Sequence, residues 1–402
     1  MNFVFVSPQF PHTYWQFCDR LHRNGANVLG IGDTPYDQLD QRLKDALTEY
    51  YWVPDLGDYA SVFKAVAFFS YKYGKVDWIE SNNEYWLAQD AALRTDFNVT
   101  TGPGRERMLS LQSKADMKVG YARAGVATAR QVRLTTLEEA LRFVEGEGGV
   151  GWPVFAKPER GVGSAGAQKV SDRQELEALL ARMDGTPYVL EEYVTGDICS
   201  YDAILDSRGL PLFENMTEFP PSMARIAREG LDLWYCALPT VDPILRQLGR
   251  ATAWSMGLRS RFVHLEFFRL DRDRPGLGGQ GDYVGLEVNS RPPGGYTPDM
   301  MNFAHSTDVY QIWADMVTCD RRVVPESQDR YYCVYAGRRD GHAYAHSHQD
   351  VLARYGDAIV MCERMPDALS NDMGNQMYTA RFKTAEQRDD FVRFVQERAQ
   401  QG

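Results

Sequence analysis

Hydrophobic and polar positions alternate along two segments in the second half of the chain. The segment 262–269 (FVHLEFFR) predicts a strand that carries Glu266. The segment 284–291 (VGLEVNSR) predicts a second strand, which sends Glu287 and Asn289 to one face. A glycine-rich connection between the two segments predicts that they pair as a hairpin.

Such a hairpin brings two carboxylates and one amide oxygen together. Hard oxygen donors at this density suit Mg²⁺, with Mn²⁺ as an alternative. Arg291 would follow on the same face if the second strand continued, and guanidinium groups are well shaped to grip a phosphate or a carboxylate. The pattern therefore predicts an enzyme that acts on a nucleoside triphosphate.

Strand-like and helix-like patterns alternate over the first hundred residues. This order predicts a parallel sheet with helices on its faces. The predicted strands are residues 3–6, 27–31, 51–53 and 76–80, and the predicted helices are 14–22, 60–73 and 85–93. The segment Gly30-Ile31-Gly32 lacks the third glycine of the dinucleotide-binding fingerprint, so we expect a turn there.

The rest of the chain has a mixed order of elements. Further strands are predicted at 131–134, 152–158, 167–170, 188–194 and 200–205. Helices are predicted around Lys114 and Lys118, at 137–145, from Ser171, at 244–255 and at 385–400. We expect an N-terminal α/β domain (1–100), two subdomains (101–186 and 187–325) and a small C-terminal domain or lid (326–402). The fold class is α/β, with α+β character in the catalytic part.

Composition narrows the functional classes. The chain has 402 residues, 44% of them hydrophobic, which is enough for two or three packed domains. Its net charge of -11 argues against a nucleic acid or an anionic membrane as a partner. Six scattered cysteines fit neither a zinc site nor a dense disulfide framework. Without a signal peptide or an apolar run long enough for a bilayer, the chain is expected to be cytoplasmic.

A buried-type strand that carries Lys157 leads into a glycine-rich loop within 155–166 (FAKPERGVGSAG). Glycines let backbone N–H groups approach an anion, Ser164 adds a hydroxyl donor, and Lys157 can meet a phosphate as a point charge. The loop is not a P-loop, because no Gly-Lys-Ser/Thr ends it. Taken alone, it is better explained as a simple hairpin turn.

Three further features are ambiguous when each is taken alone. The segment 188–196 (YVLEEYVTG) could offer backbone groups to an adenine edge, although solvated acids at the end of a strand explain it better. Lys114 on its helix is more often a surface charge than a ligand. His264 is expected to face away from Glu266, because neighbours in a strand point to opposite faces.

The order of these features is more specific than any one of them. A helix lysine, a strand lysine with a glycine loop, a Glu-Glu linker and a final Glu…Glu-x-Asn-x-Arg element follow one another over roughly 180 residues. In this order the chain resembles the ATP-grasp superfamily, in particular carboxylate–amine ligases such as D-alanine–D-alanine ligase, biotin carboxylase and bacterial L-amino acid ligases. The resemblance covers about residues 100–320. It implies the ATP-grasp fold, with a Rossmann-like parallel-sheet domain before it and a small C-terminal domain after it.

The resemblance also implies a role for each matching residue. The ATP phosphates would be held by two lysines and a flexible loop, namely Lys114, Lys157, Gly161, Gly163, Ser164 and Gly166. The adenine-edge linker would be Glu191, Glu192 and Val194. The magnesium ligands would be Glu266, Glu287 and Asn289.

Arg291 and Lys157 are the residues that the resemblance makes catalytic. In the implied reaction a carboxylate attacks the γ-phosphate of ATP, and an amine then displaces phosphate from the acylphosphate to give an amide. Family members often bind ribose through a glutamate two positions after the linker glycine. That position is Ile198 here. Asp197, one residue earlier, is the candidate substitute, and another acid or a water is the alternative.

The identity of the substrates stays open. Candidate substrate contacts are the irregular stretch with Arg225, Arg228, Trp234 and Tyr235, the loop 291–295, and Glu80 and Glu84 for an ammonium group. Two alternative functions also stay open: a bicarbonate-activating enzyme of the biotin or carbamoyl type, and a non-catalytic ATP-binding module. Small-molecule substrates are expected. The oligomeric state stays open, with a homodimer as one possibility because enzymes of this kind are often dimers.

Overall fold

The computed structural model describes residues 1–161, 166–183, 185–220 and 231–399. Four residues named above lie outside these ranges: Gly163, Ser164, Arg225 and Arg228. Within the described ranges, no helix has the length and apolar character needed to cross a membrane.

The N-terminal part is a four-stranded parallel sheet, as the alternating pattern predicts. Its strands are β1 (Asn2–Val6), β2 (Asn27–Gly32), β3 (Glu49–Trp52) and β4 (Trp78–Glu80), in the spatial order β3-β2-β1-β4. Its helices are α1 (Trp15–Arg23), α2 (Gln41–Ala46), α3 (Tyr59–Tyr73) and α4 (Leu87–Asp96), with a 3₁₀ turn at Tyr36–Gln38. The turn expected at Gly30-Ile31-Gly32 is wrong, because these residues continue β2. A Cβ at Gly30 would lie 3.0 Å from Leu47 Cδ1, so close packing explains the glycine.

An antiparallel unit follows. Its helices are α5 (Arg105–Leu111), α6 (Lys114–Arg123), α7 (Leu137–Glu145) and α8 (Arg173–Arg182). Its strands are β5 (Gln131–Leu134), β6 (Val154–Pro158), β7 (Gln168–Val170) and β8 (Tyr188–Glu192), in the order β5-β8-β6-β7. The pairing of β6 with β7 confirms the hairpin predicted around the glycine loop.

An eight-stranded sheet occupies the rest of the chain. Its strands are β9 (Gly196–Leu205), β10 (Pro211–Phe219), β11 (Trp234–Ala237), β12 (Arg261–Leu270), β13 (Tyr283–Asn289), β14 (Tyr332–Arg338), β15 (Ile359–Arg364) and β16 (Gln376–Phe382), in the order β13-β12-β9-β10-β11-β14-β16-β15. The helices are α9 (Pro243–Ser255), α10 (Thr297–His305), α11 (Val309–Cys319), α12 (His348–Tyr355), α13 (Asp367–Met373) and α14 (Ala385–Gln396). The strands of the last segment therefore extend the same sheet, and the domain boundaries stay a prediction.

The irregular stretch expected around Trp234 and Tyr235 is wrong, because both residues belong to β11. This strand has only four residues, and it pairs with β14 about a hundred positions later, so local periodicity could not reveal it. The sequence analysis also missed α10 and α11. Both helices are buried around most of their circumference, so they lack the polar face that marks an amphipathic helix.

Helix α11 fixes the N-terminal sheet against the large sheet. The Trp313 ring lies 5.6 Å from the Phe3 ring and 4.9 Å from the Phe17 ring, measured between centroids. Arg20 at the surface of α1 pairs with Asp308, the cap of α11, at 3.0 Å. This shared core holds the carboxyl edge of the N-terminal sheet beside the end of β13.

A buried cluster of charged side chains also joins the carboxyl edge of the N-terminal sheet to the end of β13. Glu80, at the end of β4, accepts from Arg261 at 3.1 Å and lies 3.4 Å from Arg94. Arg261 also donates to the Ser290 carbonyl at 2.6 Å. Because two guanidinium groups occupy Glu80, the structure does not support the expectation that it binds a substrate ammonium group.

We expect acid to destabilise the fold through His305. This side chain donates from Nε2 to Asn215 Oδ1 at 2.9 Å. Burial, helped by Arg330 and Arg322, lowers the pKa of His305 from 6.5 to about 3. Below pH 6.5 the unfolded chain therefore binds a proton that the folded chain does not, so stability falls as the pH falls towards 3. Denaturant unfolding between pH 7 and pH 5 should show a shallower decline for His305→Gln than for the parent protein. Parallel declines would contradict this assignment.

Candidate active site

The β12–β13 hairpin places Glu266 directly opposite Glu287. The Tyr121 hydroxyl of α6 bonds the backbone carbonyls of both residues, at 3.2 Å and 3.0 Å. A Cβ at Gly285 would lie 2.5 Å from the Tyr121 ring, so this glycine makes room for the tyrosine. Tyr121 thus fixes the backbone of both acidic residues to α6. The two carboxylates lie opposite each other, as the hairpin predicted from the sequence requires.

Lys114 begins α6 and reaches the same hairpin. Its backbone N–H donates to the Glu159 carbonyl at 3.0 Å, which places the start of the helix beside the end of β6. Its Nζ lies 3.2 Å from Glu287 Oε1 and 3.4 Å from the Gly161 carbonyl. Burial and the charge of Glu266 raise the pKa of Glu287, against the lowering effect of Lys114 and Lys157.

His264 contacts Glu266, so the expectation that it faces away is wrong. The two residues are two positions apart and therefore share a face of β12. His264 Nε2 lies 3.0 Å from Glu266 Oε1, and Nδ1 lies 2.6 Å from Asp202 Oδ1. Burial alone would lower the pKa of His264, but Asp202 and then Glu266 raise it to about 9. Burial would raise the pKa of Glu266, yet His264, Arg291 and Lys157 bring it below its ordinary value.

A second cluster of charges surrounds Glu191. Lys157 Nζ lies 2.9 Å from Glu191 Oε2, and Lys118 Nζ lies 3.1 Å from Glu191 Oε1. Burial would raise the pKa of Glu191, but the two lysines lower it. The carboxylate predicted at the adenine edge thus contacts the lysines, and Lys118 was missed as a site residue. Its position one turn after Lys114 was the signal available, since residues four apart share a helix face.

The other linker residues lie near the loop before β13. Glu192 Oε2 accepts from the exposed Arg130 at 3.1 Å, and its other oxygen lies 3.8 Å from Arg274. Val194 packs in a small apolar cluster with Ala129, Leu270 and Val284. The role of Glu192 and Val194 at an adenine edge stays a prediction.

The remaining described residues that were predicted to contact the nucleotide are Gly161, Gly166 and Asp197. Gly161 and Gly166 have φ values of 147° and 74°, in the region that favours glycine. Ser200 pairs with Glu266 and shares its face, so Asp197, three positions earlier, points to the opposite face. The structure therefore does not bring Asp197 together with the two carboxylates.

Arg291 meets the N-terminal sheet beyond the end of β13. Its Nε donates to Glu84 Oε2 at 3.0 Å, and its Nη2 donates to Asn289 Oδ1 at 3.4 Å. Gln112 donates to the other oxygen of Glu84 at 3.1 Å. Glu84 is thus the residue by which the N-terminal part orients Arg291.

The fold aligns with solved structures over nearly the whole chain. The L-amino acid ligase of Bacillus licheniformis aligns over 100% of this chain and 99% of its own, with a TM-score of 0.71 and 13% identity. The N5-carboxyaminoimidazole ribonucleotide synthetase of Thermotoga maritima aligns over 97% and 96%, with a TM-score of 0.64 and 13% identity. The chain has the ATP-grasp fold. This confirms the fold that the resemblance implies and the fold class predicted from the sequence.

A third ATP-grasp structure is the biotin carboxylase domain of Hydrogenobacter thermophilus 2-oxoglutarate carboxylase, in complex with MgADP, ADP and bicarbonate. It aligns over 94% of this chain and 85% of its own, with a TM-score of 0.61 and 16% identity. No protein-family model and no curated protein matches the sequence. The likeness to these structures is therefore a likeness of fold.

The donor set of this ATP-grasp site fits a divalent cation. Each carboxylate of the hairpin uses Oε1 for a protein contact, to His264 or to Lys114. Among the residues that the structure describes, Oε2 of Glu266 and Oε2 of Glu287 have no hydrogen bond. Two carboxylate oxygens and an amide oxygen are ligands of the kind that Mg²⁺ takes from proteins. No group of three or more acidic, histidine or cysteine ligands occurs in the described ranges, so phosphate oxygens and water would complete the set.

We expect Glu191→Gln to destabilise the ATP-grasp fold strongly. The change leaves Lys118 and Lys157 buried without their shared counter-charge, which costs about 3 kcal/mol in typical proteins. Glu192→Gln is the matched control, because its partner Arg130 is half exposed and such pairs contribute under about 1 kcal/mol. Chemical denaturation of both variants measures the difference. Equal losses would show that the buried pairings do not stabilise the site.

Proposed function

We propose that this protein is an ATP- and Mg²⁺-dependent ligase. It joins a carboxylate, in our proposal that of an amino acid, to an amine through an acylphosphate and releases ADP and phosphate. The L-amino acid ligase among the similar structures supports an amino acid as the carboxylate substrate. The complex of MgADP with another of these proteins supports Mg²⁺ and adenine nucleotide as ligands.

One observation carries the proposal: buried cationic side chains lie beside the paired carboxylates of the β12–β13 hairpin. Lys114 and Lys157 are each only 6% exposed, and Lys114 contacts Glu287. Both Lys157 and Arg291 act electrostatically on Glu266. Buried charges are costly to a fold, so their concentration here favours a polyanionic ligand that arrives with a divalent cation.

The chemistry follows from neutralising charge. A carboxylate and a triphosphate repel each other, so phosphoryl transfer between them needs fixed positive groups around the transferred phosphoryl. Lys114 and Lys157 would bind the phosphate oxygens, with Lys118 next to them. Glu266, Glu287 and Asn289 would hold Mg²⁺, which screens the repulsion and polarises the γ-phosphate when bound. Arg291 would stabilise charge that builds up in the transition state and orient the acylphosphate for attack by the amine.

Exclusion of water is the second requirement, since water hydrolyses an acylphosphate. The loop between Gly161 and Gly166 is the part of the chain that would close over the phosphates. Gly161 and Gly166, at the two ends of this loop, have positive φ values, which glycine adopts without strain. Glu84, which holds Arg291 from the N-terminal side, would keep the guanidinium aligned before substrates bind.

We expect Arg291→Ala to lower the rate of ligation by about 100-fold or more, because one transition-state charge is lost. ADP binding should persist, since the lysines that hold phosphates are intact. Arg142→Ala is the matched control: Arg142 pairs with Glu138 on the exposed side of α7 and should not affect the rate. Coupled detection of ADP release measures both variants. A rate near that of the parent for Arg291→Ala would defeat its assignment.

A substrate screen tests the function itself. ATP and Mg²⁺ are mixed with pooled amino acids, and ADP release is followed together with mass spectrometry of the products. We expect release that depends on amino acids and a product whose mass is that of two substrates less one water. Release with bicarbonate alone would replace the proposal by a bicarbonate-activating enzyme. No release with any pool, together with tight ATP binding, would indicate a binding module.

A further inference from the structure

A buried polar chain runs from the hairpin into the middle of the large sheet. Asp202 on β9 is 0% exposed and accepts hydrogen bonds from three side chains of β9 and β10. The donors are Ser200 Oγ at 3.0 Å, Asn215 Nδ2 at 2.9 Å and Thr217 Oγ1 at 3.2 Å. Such a set holds the Asp202 carboxylate in one orientation.

His264 connects this anchored carboxylate to Glu266. Its two ring nitrogens face Asp202 at 2.6 Å and Glu266 at 3.0 Å. An imidazole is a rigid plane, so fixing one ring nitrogen also fixes the direction of the other. The position of Glu266 Oε1 is therefore set, through His264, by the buried Asp202.

Within the described residues, this series of buried polar contacts reaches Glu266 and not Glu287. Glu287 is held by Lys114, a residue that also belongs to the proposed phosphate site. Glu266 is held by His264, which is 5% exposed and, among the described residues, has no side-chain hydrogen bond to the proposed phosphate site. Loss of His264 should therefore affect the metal ligand without removing a phosphate contact.

We propose that His264, anchored by Asp202, is a positioning residue that presents Glu266 Oε2 to the divalent cation. The inference rests on the proposed function, because it assigns a cation to the carboxylates. Ordering of a metal ligand by a hydrogen-bonded partner behind it is a general device, and loss of such a partner typically weakens metal binding 10–100-fold. A sheet interior filled with apolar side chains would avoid the cost of these buried charges, so the chain of contacts is better explained by its effect on Glu266.

The test is direct measurement of metal binding. Mn²⁺ binding to the full chain with saturating ADP is followed by electron paramagnetic resonance, and ADP binding without metal is measured by calorimetry. For His264→Leu we expect Mn²⁺ binding to weaken by about 10–100-fold. ADP affinity without metal should stay near that of the parent, because no phosphate contact is removed. His264→Gln keeps an N–H donor towards Glu266 and should recover most of the Mn²⁺ affinity.

Two further variants keep the test decisive. Asp202→Asn keeps the side-chain volume and weakens only the anchor, so it should weaken Mn²⁺ binding in the same direction if the leucine variant does not fold. His305→Gln is the matched control, because His305 bonds Asn215 in the same network without touching His264 or Glu266. It should lower stability and leave Mn²⁺ binding unchanged.

The outcomes separate this inference from the proposed function. Parent-like Mn²⁺ binding by both His264→Leu and Asp202→Asn overturns the inference, and so does equal weakening of Mn²⁺ binding by His305→Gln. Parallel loss of Mn²⁺ and metal-free ADP binding also overturns it, because that pattern reports general damage. A parent protein that binds ADP but no Mn²⁺ overturns the metal assignment, and with it the proposed function.

Discussion

Two like charges held opposite each other across a hairpin are the constraint on which this site depends. Glu266 and Glu287 face each other on paired strands, and the charge of Glu266 raises the pKa of Glu287. Each acid is therefore given a positive neighbour, His264 for one and Lys114 for the other. These neighbouring groups offset the repulsion, and within the described residues the Oε2 atom of each acid has no hydrogen bond. Both Oε2 atoms thus remain available for the proposed cation.

The second constraint is the joining of two sheets at the edge of this hairpin. Arg261 lies on β12, close to His264 in the sequence. It donates hydrogen bonds both to Glu80 of the N-terminal sheet and to the Ser290 carbonyl. Helix α11 supplies the apolar part of the same junction through Trp313. Because the junction is buried and charged, the two parts are held in a defined orientation. That orientation is what lets Glu84 reach Arg291.

Much of this could be predicted from the sequence because the signals are local. The hairpin with Glu266 and Glu287 is visible in the alternation of two strands, and Lys114 and Lys157 are visible from their order before it. The predictions that failed concern elements that contact distant parts of the chain, or the direction in which a side chain points. Strand β11 is short and pairs with a distant strand, and α10 and α11 are buried on most sides. The predicted direction of His264 was wrong because side chains two apart share a face, and the pairing of Lys118 with Glu191 depends on a helix docking onto a sheet.

Helix α6 links these parts in one further way. Lys114, Lys118 and Tyr121 occupy one stripe of this helix, and they touch Glu287, Glu191 and the carbonyls of the acidic pair. A tilt or slide of α6 as a rigid body would therefore shift the proposed phosphate contacts and the proposed cation ligands together. In the proposed site one helix supports both nucleotide binding and metal binding, so a change in how α6 packs would alter both affinities at once.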